Sequence, residues 1–422
     1  MEAERVSRLD AVRVLLVGSG GREHALAWKL AQAPSLAELH AAPGNPGVAQ
    51  YGHCHPVRAE DGEGLLDLAR SLDIDLAIVG PEAPLVAGVA DELRHRGVSV
   101  FGPSRGAARI EGSKAFAKDV MQAESVPAAQ TLTSAQPPCV VKVDGLAAGK
   151  GVFVCHDPRE LDAGRAAASS FEGPLVIEEL LVGPKLSLFA ICDGSRALGL
   201  APARDFKRAY EGDNGPNTGG MGSFAPVADV TLDSVEDMLE RVHRPVLREL
   251  AARGTPFVGL LFAGIMLTDE GPKVLEFNCR FGDPETQSVL PLLEGDLLEA
   301  CAAAANGDLE GVDLRIAPGA AVTVVVAAAG YPDAGDRGAP IVGIPEAEAA
   351  GALVFHAGTA LQGGIVRTNG GRVLKVTAVG ATIAEARARA YAAVERLSFP
   401  GARYRRDIAL GEAELASAPR TV

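Results

Sequence analysis

Aromatic side chains are scarce in this 422-residue chain, at 5% of positions. Its cores must therefore be packed largely from small and branched aliphatic residues. Also missing is any apolar run near the roughly 20 residues needed to span a bilayer. The longest, Ala320–Ala329, is rich in Val and leads into Gly330-Tyr331-Pro332, so it reads as a buried strand. Met1–Asp10 is charged and has no apolar h-region; it reads as a loose extension before the first strand rather than a secretory signal. The six cysteines (Cys54, Cys139, Cys155, Cys192, Cys279 and Cys301) show no CxxC spacing, which suits unpaired thiols in a reducing cytoplasm. Positive charge is in deficit too. Forty Lys and Arg against 54 Asp and Glu leave a net charge of -14, which argues against a general nucleic-acid binder. Small phosphorylated substrates need only a local cluster of donors and remain open.

What is present is ordinary globular material. An apolar content of 47% excludes wholesale disorder, and the length calls for two to four domains. Val12–Val17 is an apolar strand that runs into Gly18-Ser19-Gly20-Gly21 and then a helical pattern. Leu76–Val79 ends in Gly80-Pro81-Glu82, and Val98–Phe101 ends in Gly102-Pro103. Strands that end in glycine turns and alternate with helices predict a doubly wound parallel α/β domain through about residue 112. Ligands of such sheets bind at the carboxyl ends of the strands. The turns Gly18–Gly21, Pro43–Gly47 and Gly80–Glu82 are thus expected to share one mouth.

From Ser113 the texture changes. Lys114–Ala123 reads as a helix, Val140–Val143 and Val152–Cys155 as strands flanking a Gly/Ala loop, and Val176–Leu181 as another strand. Leu260–Leu267 is expected to pair with Lys273–Phe277. A third region follows, with strands at Val322–Ala327, Leu353–His356 and Arg372–Val379 and a closing helix at Ile383–Leu397.

Four segments carry chemistry. Gly18–Glu23 lacks GxGxxG spacing; its glycines either bring amides to a phosphate or simply make a tight turn. Lys142–Gly151 lies between strands, so it is a glycine-rich hairpin rather than a helix-opening phosphate loop; it is able to lay amides and lysines over phosphates. In Glu276–Glu285, strand alternation puts Glu276 and Asn278 on one face with Phe277 on the other. Two neighbouring oxygen ligands suit Mg²⁺ shared with nucleotide phosphates, and Arg280, on the same parity, suits a carboxylate or acyl phosphate. For an isolated ExN, a satisfied salt-bridge network is the plainer reading. Asp205–Arg208 and the loop Asn214–Gly222 add positive charge and a long polar glycine loop. His53-Cys54-His55 is not read as a zinc site, because adjacent residues of a strand face opposite ways and no second ligand pair stands nearby in sequence.

Taken in order, these segments resemble the ATP-grasp superfamily, and within it the phosphoribosylamine–glycine ligases. The resemblance rests on VGSGGREHALAWK from Val17, APGNPG from Ala42, VGPEAPL from Val79, EGSKAFAKD from Glu111 and KVDGLAAGKGV from Lys142. It continues through NTGGMG from Asn217, EFNCRFGDPETQ from Glu276, FHAGT from Phe355 and GGRVL from Gly370.

It implies ATP-dependent ligation of glycine to 5-phosphoribosylamine through glycyl phosphate, with ATP and Mg²⁺ or Mn²⁺, in a cytoplasmic monomer that takes small-molecule substrates and no nucleic acid or membrane. It implies an α/β domain at 11–112, a core at 113–130 and 183–317, a lid at 131–182 and a mixed α/β domain at 318–422. By resemblance, Glu276 and Asn278 hold the metal. Lys114, Lys142, Gly149, Lys150, Gly151, Glu178, Glu179 and Leu181 contact the nucleotide. Gly20, Gly21, Asn45 and Glu82, with Thr218 and Asp283, bind substrate, while Asp205, Lys207, Asn217 and Arg280 serve glycine activation. One departure stands out: Pro184-Lys185 occupy the place of the family's acidic pair, and a lysine offers ribose hydroxyls no acceptor.

Overall fold

The computed structural model describes residues 11–146, 150–171 and 173–417. The expected loose extension at 1–10 lies outside them.

The N-terminal strand Val12–Gly18 is buried along nearly its whole length, as befits a parallel strand covered on both faces. It sits in a five-stranded parallel sheet in the order His53–Cys54, Leu36–Pro43, Val12–Gly18, Leu76–Val79, Ser99–Phe101. The order reverses beside Val12–Gly18, opening the crevice where such sheets bind ligands. Leu36–Pro43 was not evident as a strand in the sequence. Its first half is only partly buried, and burial becomes continuous from Leu39 to Ala42.

Ser113 caps the helix Lys114–Ala123, its Oγ accepting from the Phe116 amide at 3.2 Å. The hairpin read in the sequence is longer than expected: Val258–Thr268 pairs antiparallel with Gly271–Asn278. Beyond it lies the strand Lys185–Asp193, absent from the sequence reading and paired with Val258–Thr268 along nine residues. A short strand, Ala197–Gly199, completes this four-stranded sheet. A smaller sheet places Cys139–Val143 between Val152–Cys155 and Leu175–Glu179, with the helix Pro158–Ala168 against it.

The third sheet joins regions distant in sequence. Arg204–Asp205 and Gly222–Ala225 line up with Ala320–Ala327, Arg372–Gly380 and Leu353–His356 as consecutive antiparallel neighbours. The closing helix covers this sheet through Ala386, Ala390 and Ala393, but ends at Val394 rather than Leu397. Ser398 bridges to Val342 in both directions, which draws the chain out of the helix. Among the described residues no helix is long and apolar enough to cross a membrane.

Candidate active site

Three openings lie in a row where these parts meet. The central one is a cleft of about 270 Å³ walled by the hairpin 258–278, the small sheet and the end of the N-terminal domain. Strand alternation turns Glu276 and Asn278 into it and buries Phe277 behind them. The Glu276 carboxylate has no hydrogen bond or ion pair among the described residues. Burial alone would raise its pKa, but Lys207, Lys142 and Lys114 outweigh that and hold it below the ordinary carboxylate value.

Arg280 follows on the same wall. Its guanidinium lies 3.2 Å from each of Glu82, Glu111 and the Asn278 amide oxygen. Burial opposes its charge, yet Glu111 and Glu82 raise its pKa. For Glu82 burial pushes upward, but Arg280 and Arg22 bring the carboxyl down to about 2. Arg280 is thus a fixed cation at neutral pH.

Across the cleft, Glu178 is clasped between Lys142 at 2.6 Å and Lys118 at 2.7 Å, and Lys142 also donates to the Leu275 carbonyl at 2.8 Å. Lys114 donates to the Gly145 carbonyl at 3.0 Å. Lys207 lies 3.1 Å from Asp205, whose carboxylate raises the lysine's pKa against the effect of burial.

To one side the cleft continues into a slot of about 160 Å³ walled by Val140, Leu181, Ile265, Met266 and Leu275. Lys142, Glu178, Lys207 and Glu276 line both. An apolar slot beside a cluster of lysines fits a flat base with its phosphates leading into the cleft. On the other side, Asp283 and Arg372 line both the cleft and a wide mouth formed by Ser19, Gly20, Gly21, Asn45 and Thr359.

Comparison with known proteins gives these openings a lineage. Three family models match in sequence: phosphoribosylglycinamide synthetase N domain over residues 12–111, ATP-grasp (A) domain over 112–286 and C domain over 321–411. The chain belongs to the phosphoribosylamine–glycine ligase family. A curated relative of that name from Streptomyces coelicolor is 49% identical over 414 residues, spanning 94% of this chain and 99% of its own length. One from Mesorhizobium japonicum is 46% identical over 416 residues, spanning 94% and 97%. The crystal structure of phosphoribosylamine–glycine ligase from Thermotoga maritima superposes with a TM-score of 0.80 at 36% identity, covering 94% of this chain and all of that one. A biotin carboxylase from Campylobacter jejuni shares the fold alone, with a TM-score of 0.70 at 13% identity. Membership of an ATP-grasp family carries with it the use of ATP.

Within this ligase framework the residues singled out from sequence distribute unevenly. Arg280, Lys207, Lys114, Lys142, Gly151, Glu178, Thr218, Asp283, Glu276 and Asn278 line the cleft. Asp205, Asn217, Glu179 and Leu181 line the slot, and Gly20, Gly21 and Asn45 the mouth. Glu82, grouped with the mouth in the sequence reading, lines the cleft instead, drawn there by Arg280. Lys150 is turned away and donates to the Pro332 carbonyl at 3.1 Å. Gly149 lies outside the described residues.

The mouth also differs in detail from a bare amide cradle. The Gly20 amide is taken by the Glu23 carboxylate at 2.5 Å, and Arg22 braces Glu23 at 2.7 Å. Asn45 spends its side chain on the turn, donating to the Ser19, Gly20 and His356 carbonyls and accepting from the Gly47 and Val48 amides. Gly21 is packed closely by the buried Lys375: a Cβ there would lie 2.9 Å from its ammonium and would displace that side chain.

Four cleft residues were not singled out in the sequence, Glu111, Lys118, Glu285 and Arg372, nor was Lys375, buried behind Asp283. Lys118 had a signal, since it follows Lys114 by four residues and shares its helix face. Glu111 stood in a quoted motif. Arg372 stands in the GGRVL segment and Lys375 directly after it, but their partner Asp283 is remote in sequence, so their role was not legible there.

The donor chemistry fits a hard divalent ion. Glu276 has its oxygens unengaged, Asn278 adds an amide oxygen, and no thiolate or imidazole competes at the strand. Among the described residues no group of three or more His, Cys, Asp or Glu is able to cage an ion. Such an ion would need further oxygens from a substrate's phosphates.

Proposed function

We infer that the chain ligates glycine to 5-phosphoribosylamine, using ATP to activate glycine as glycyl phosphate and releasing ADP, phosphate and glycinamide ribonucleotide, a step of purine biosynthesis. The observation that carries this reading is the order of the openings: apolar slot, charged cleft and glycine-turn mouth, joined through shared residues. That order matches a nucleotide, a transferring phosphoryl group and a sugar phosphate laid end to end.

The base of ATP would enter the slot against Leu181, with Glu179 and Lys185 at its polar side. Lys142 and Lys114, with Gly151 at the hairpin, would bind the phosphates. Glu276 and Asn278 would hold Mg²⁺ or Mn²⁺, which supplies charge neutralisation on the phosphate oxygens when bound. Arg280 and Lys207 would orient the glycine carboxylate and offset charge on the transferred phosphoryl group, with Asp205, Asn217 and Thr218 fixing Lys207 and its loop. Gly20, Gly21, Asn45 and Asp283 would shape the mouth for phosphoribosylamine, whose amine then attacks the acyl carbon. Closing the small sheet over the cleft would exclude water from glycyl phosphate, which hydrolyses readily.

The same reading takes the chain as a cytoplasmic monomer. It divides into an N-terminal domain at 11–112, a core at 113–130 and 183–317, a lid at 131–182 and a C-terminal domain at 318–422.

The test is ADP release with ATP, Mg²⁺, glycine and freshly made phosphoribosylamine, each omitted in turn. Release that requires both glycine and phosphoribosylamine is expected. Release indifferent to glycine would overturn the reading.

A further inference from the structure

The cleft's carboxylates are nearly all spoken for. Glu178 is held by Lys118 and Lys142, Glu82 and Glu111 by Arg280, and Asp283 by Arg372 and Lys375. Glu276 is unpaired as well among the described residues, but it is assigned above to the metal and the phosphates. Glu285 is the exception. It is 2% exposed, yet no Lys, Arg or His forms an ion pair with it among the described residues. Its Oε1 accepts only the Ser187 hydroxyl, at 3.2 Å. Its Oε2 rests on Gly282, where a Cβ would lie 2.7 Å away. Beside it, the Asp205 side chain is 5% exposed, and its Oδ2, 3.1 Å from Lys207, makes no hydrogen bond of proper geometry.

A buried carboxyl with no cation in direct contact is costly unless something supplies one. Burial, reinforced by Asp205, raises the pKa of Glu285, the direction expected of a site awaiting positive charge. The proposed substrate brings that charge, because glycine carries an ammonium group two bonds from the carboxylate that Arg280 and Lys207 would orient. Arg280, Lys207 and Asp205 all interact electrostatically with Glu285, so cationic and anionic receptors lie within the span of one small zwitterion.

We propose that Glu285, seconded by Asp205, is the receptor for the α-ammonium group of the amino-acid substrate. It is thus the residue by which the enzyme distinguishes glycine from carboxylates that lack an amine. The assignment rests on the ligase reading above and adds to it the recognition of the amine.

The experiment measures glycine-dependent ADP release and acyl hydroxamate formation with hydroxylamine as acceptor, in the wild-type chain and in Glu285→Gln, with acetate as the amine-free competitor. Neutralising a buried partner of a charged group costs one to several orders of magnitude in binding. The KM for glycine is expected to rise about a hundredfold, with the KM for ATP and the Mg²⁺ requirement unchanged. The preference for glycine over acetate should collapse in parallel. An unchanged glycine KM with a lowered kcat would overturn the proposal. So would a shift confined to the Mg²⁺ requirement, which would make Glu285 a metal ligand. If Glu285→Gln does not fold, Glu285→Asp keeps the charge but withdraws it by one methylene, and at least a tenfold rise in glycine KM is then required. Absence of glycine-dependent turnover in the wild-type chain would overturn the ligase reading itself, and the receptor with it. A failure seen only in the variants removes the receptor alone.

Discussion

Asp283 meets Arg372 at 2.9 Å across 89 positions of sequence, with the fully buried Lys375 ammonium against its other oxygen. One carboxylate therefore fastens the cleft to the C-terminal sheet and sets a negative charge against a lysine that burial and Arg22 drive toward the uncharged form.

Replacing Asp283 with Asn should leave that lysine buried without a counter-charge, at a cost of about 3–5 kcal/mol. Chemical denaturation reads the loss directly. The double variant Asp283→Asn, Lys375→Met should recover most of it, because the stranded charge is gone. Equal losses in the single and double variants would show that the pair is not the source.

Arg280 forks onto Glu82, Glu111 and Asn278, a geometry that a lysine's single ammonium is unable to reproduce. Arg280→Lys is expected to lower kcat by about 10²–10³ with little change in the KM for ATP, the size seen when one preorganised charge-stabilising donor is lost. Steady-state kinetics with ATP varied at saturating glycine separates the two constants.

Lys185 lines the slot with an exposed side chain and makes no side-chain hydrogen bond among the described residues. Lys185→Glu restores an acceptor beside the nucleotide. One new hydrogen bond of about 1 kcal/mol corresponds to roughly a fivefold lower KM for ATP. The gain should be smaller for dATP, which lacks the 2′-hydroxyl. Comparing the two nucleotides on both proteins tests whether this residue faces the ribose.

His243 is fully buried, with Nε2 3.2 Å from the Leu261 carbonyl and Nδ1 unpartnered. Burial lowers its pKa to about 4, against about 6.5 in the unfolded chain. Below pH 6.5 the unfolded state binds the proton first, so stability falls as the pH drops from about 6.5 toward 4 and is insensitive to this group above 6.5. At pH 5 the loss from His243 is about 2 kcal/mol. The fall in Tm between pH 7.5 and 5 should be shallower in His243→Gln than in wild type. Identical slopes would assign the acid sensitivity elsewhere.

How much of this was legible beforehand depended on how local each cause is. Helix Lys114–Ala123 was readable to the residue because its stop and start signals, Ser113 among them, lie within it or beside it. The hairpin that carries Glu276 and Asn278 was readable because an apolar run ends in the turn residues Asp269-Glu270-Gly271 and a second strand-like segment follows at once. Strand Lys185–Asp193 was not, since from Leu186 on it is buried on both faces and follows Pro184, without a polar–apolar alternation to mark it. Lys150 was expected at the nucleotide from the family resemblance, but its ammonium donates to the carbonyl of residue 332. Glu285 was hidden for a different reason. It opens a five-residue helix after a proline, and only the packing of Ser187 and Asp205 around it reveals its isolation.

The strand Gly222–Ala225 takes its sheet partner from Ala320–Ala327, far later in the chain. During synthesis it must emerge and wait, one edge unpaired, until that later strand has left the ribosome. The region that carries Asp205 and Lys207 thus cannot complete its sheet in the order in which it is made. A protein released before residue 327 would present an open, aggregation-prone edge instead of a smaller working enzyme.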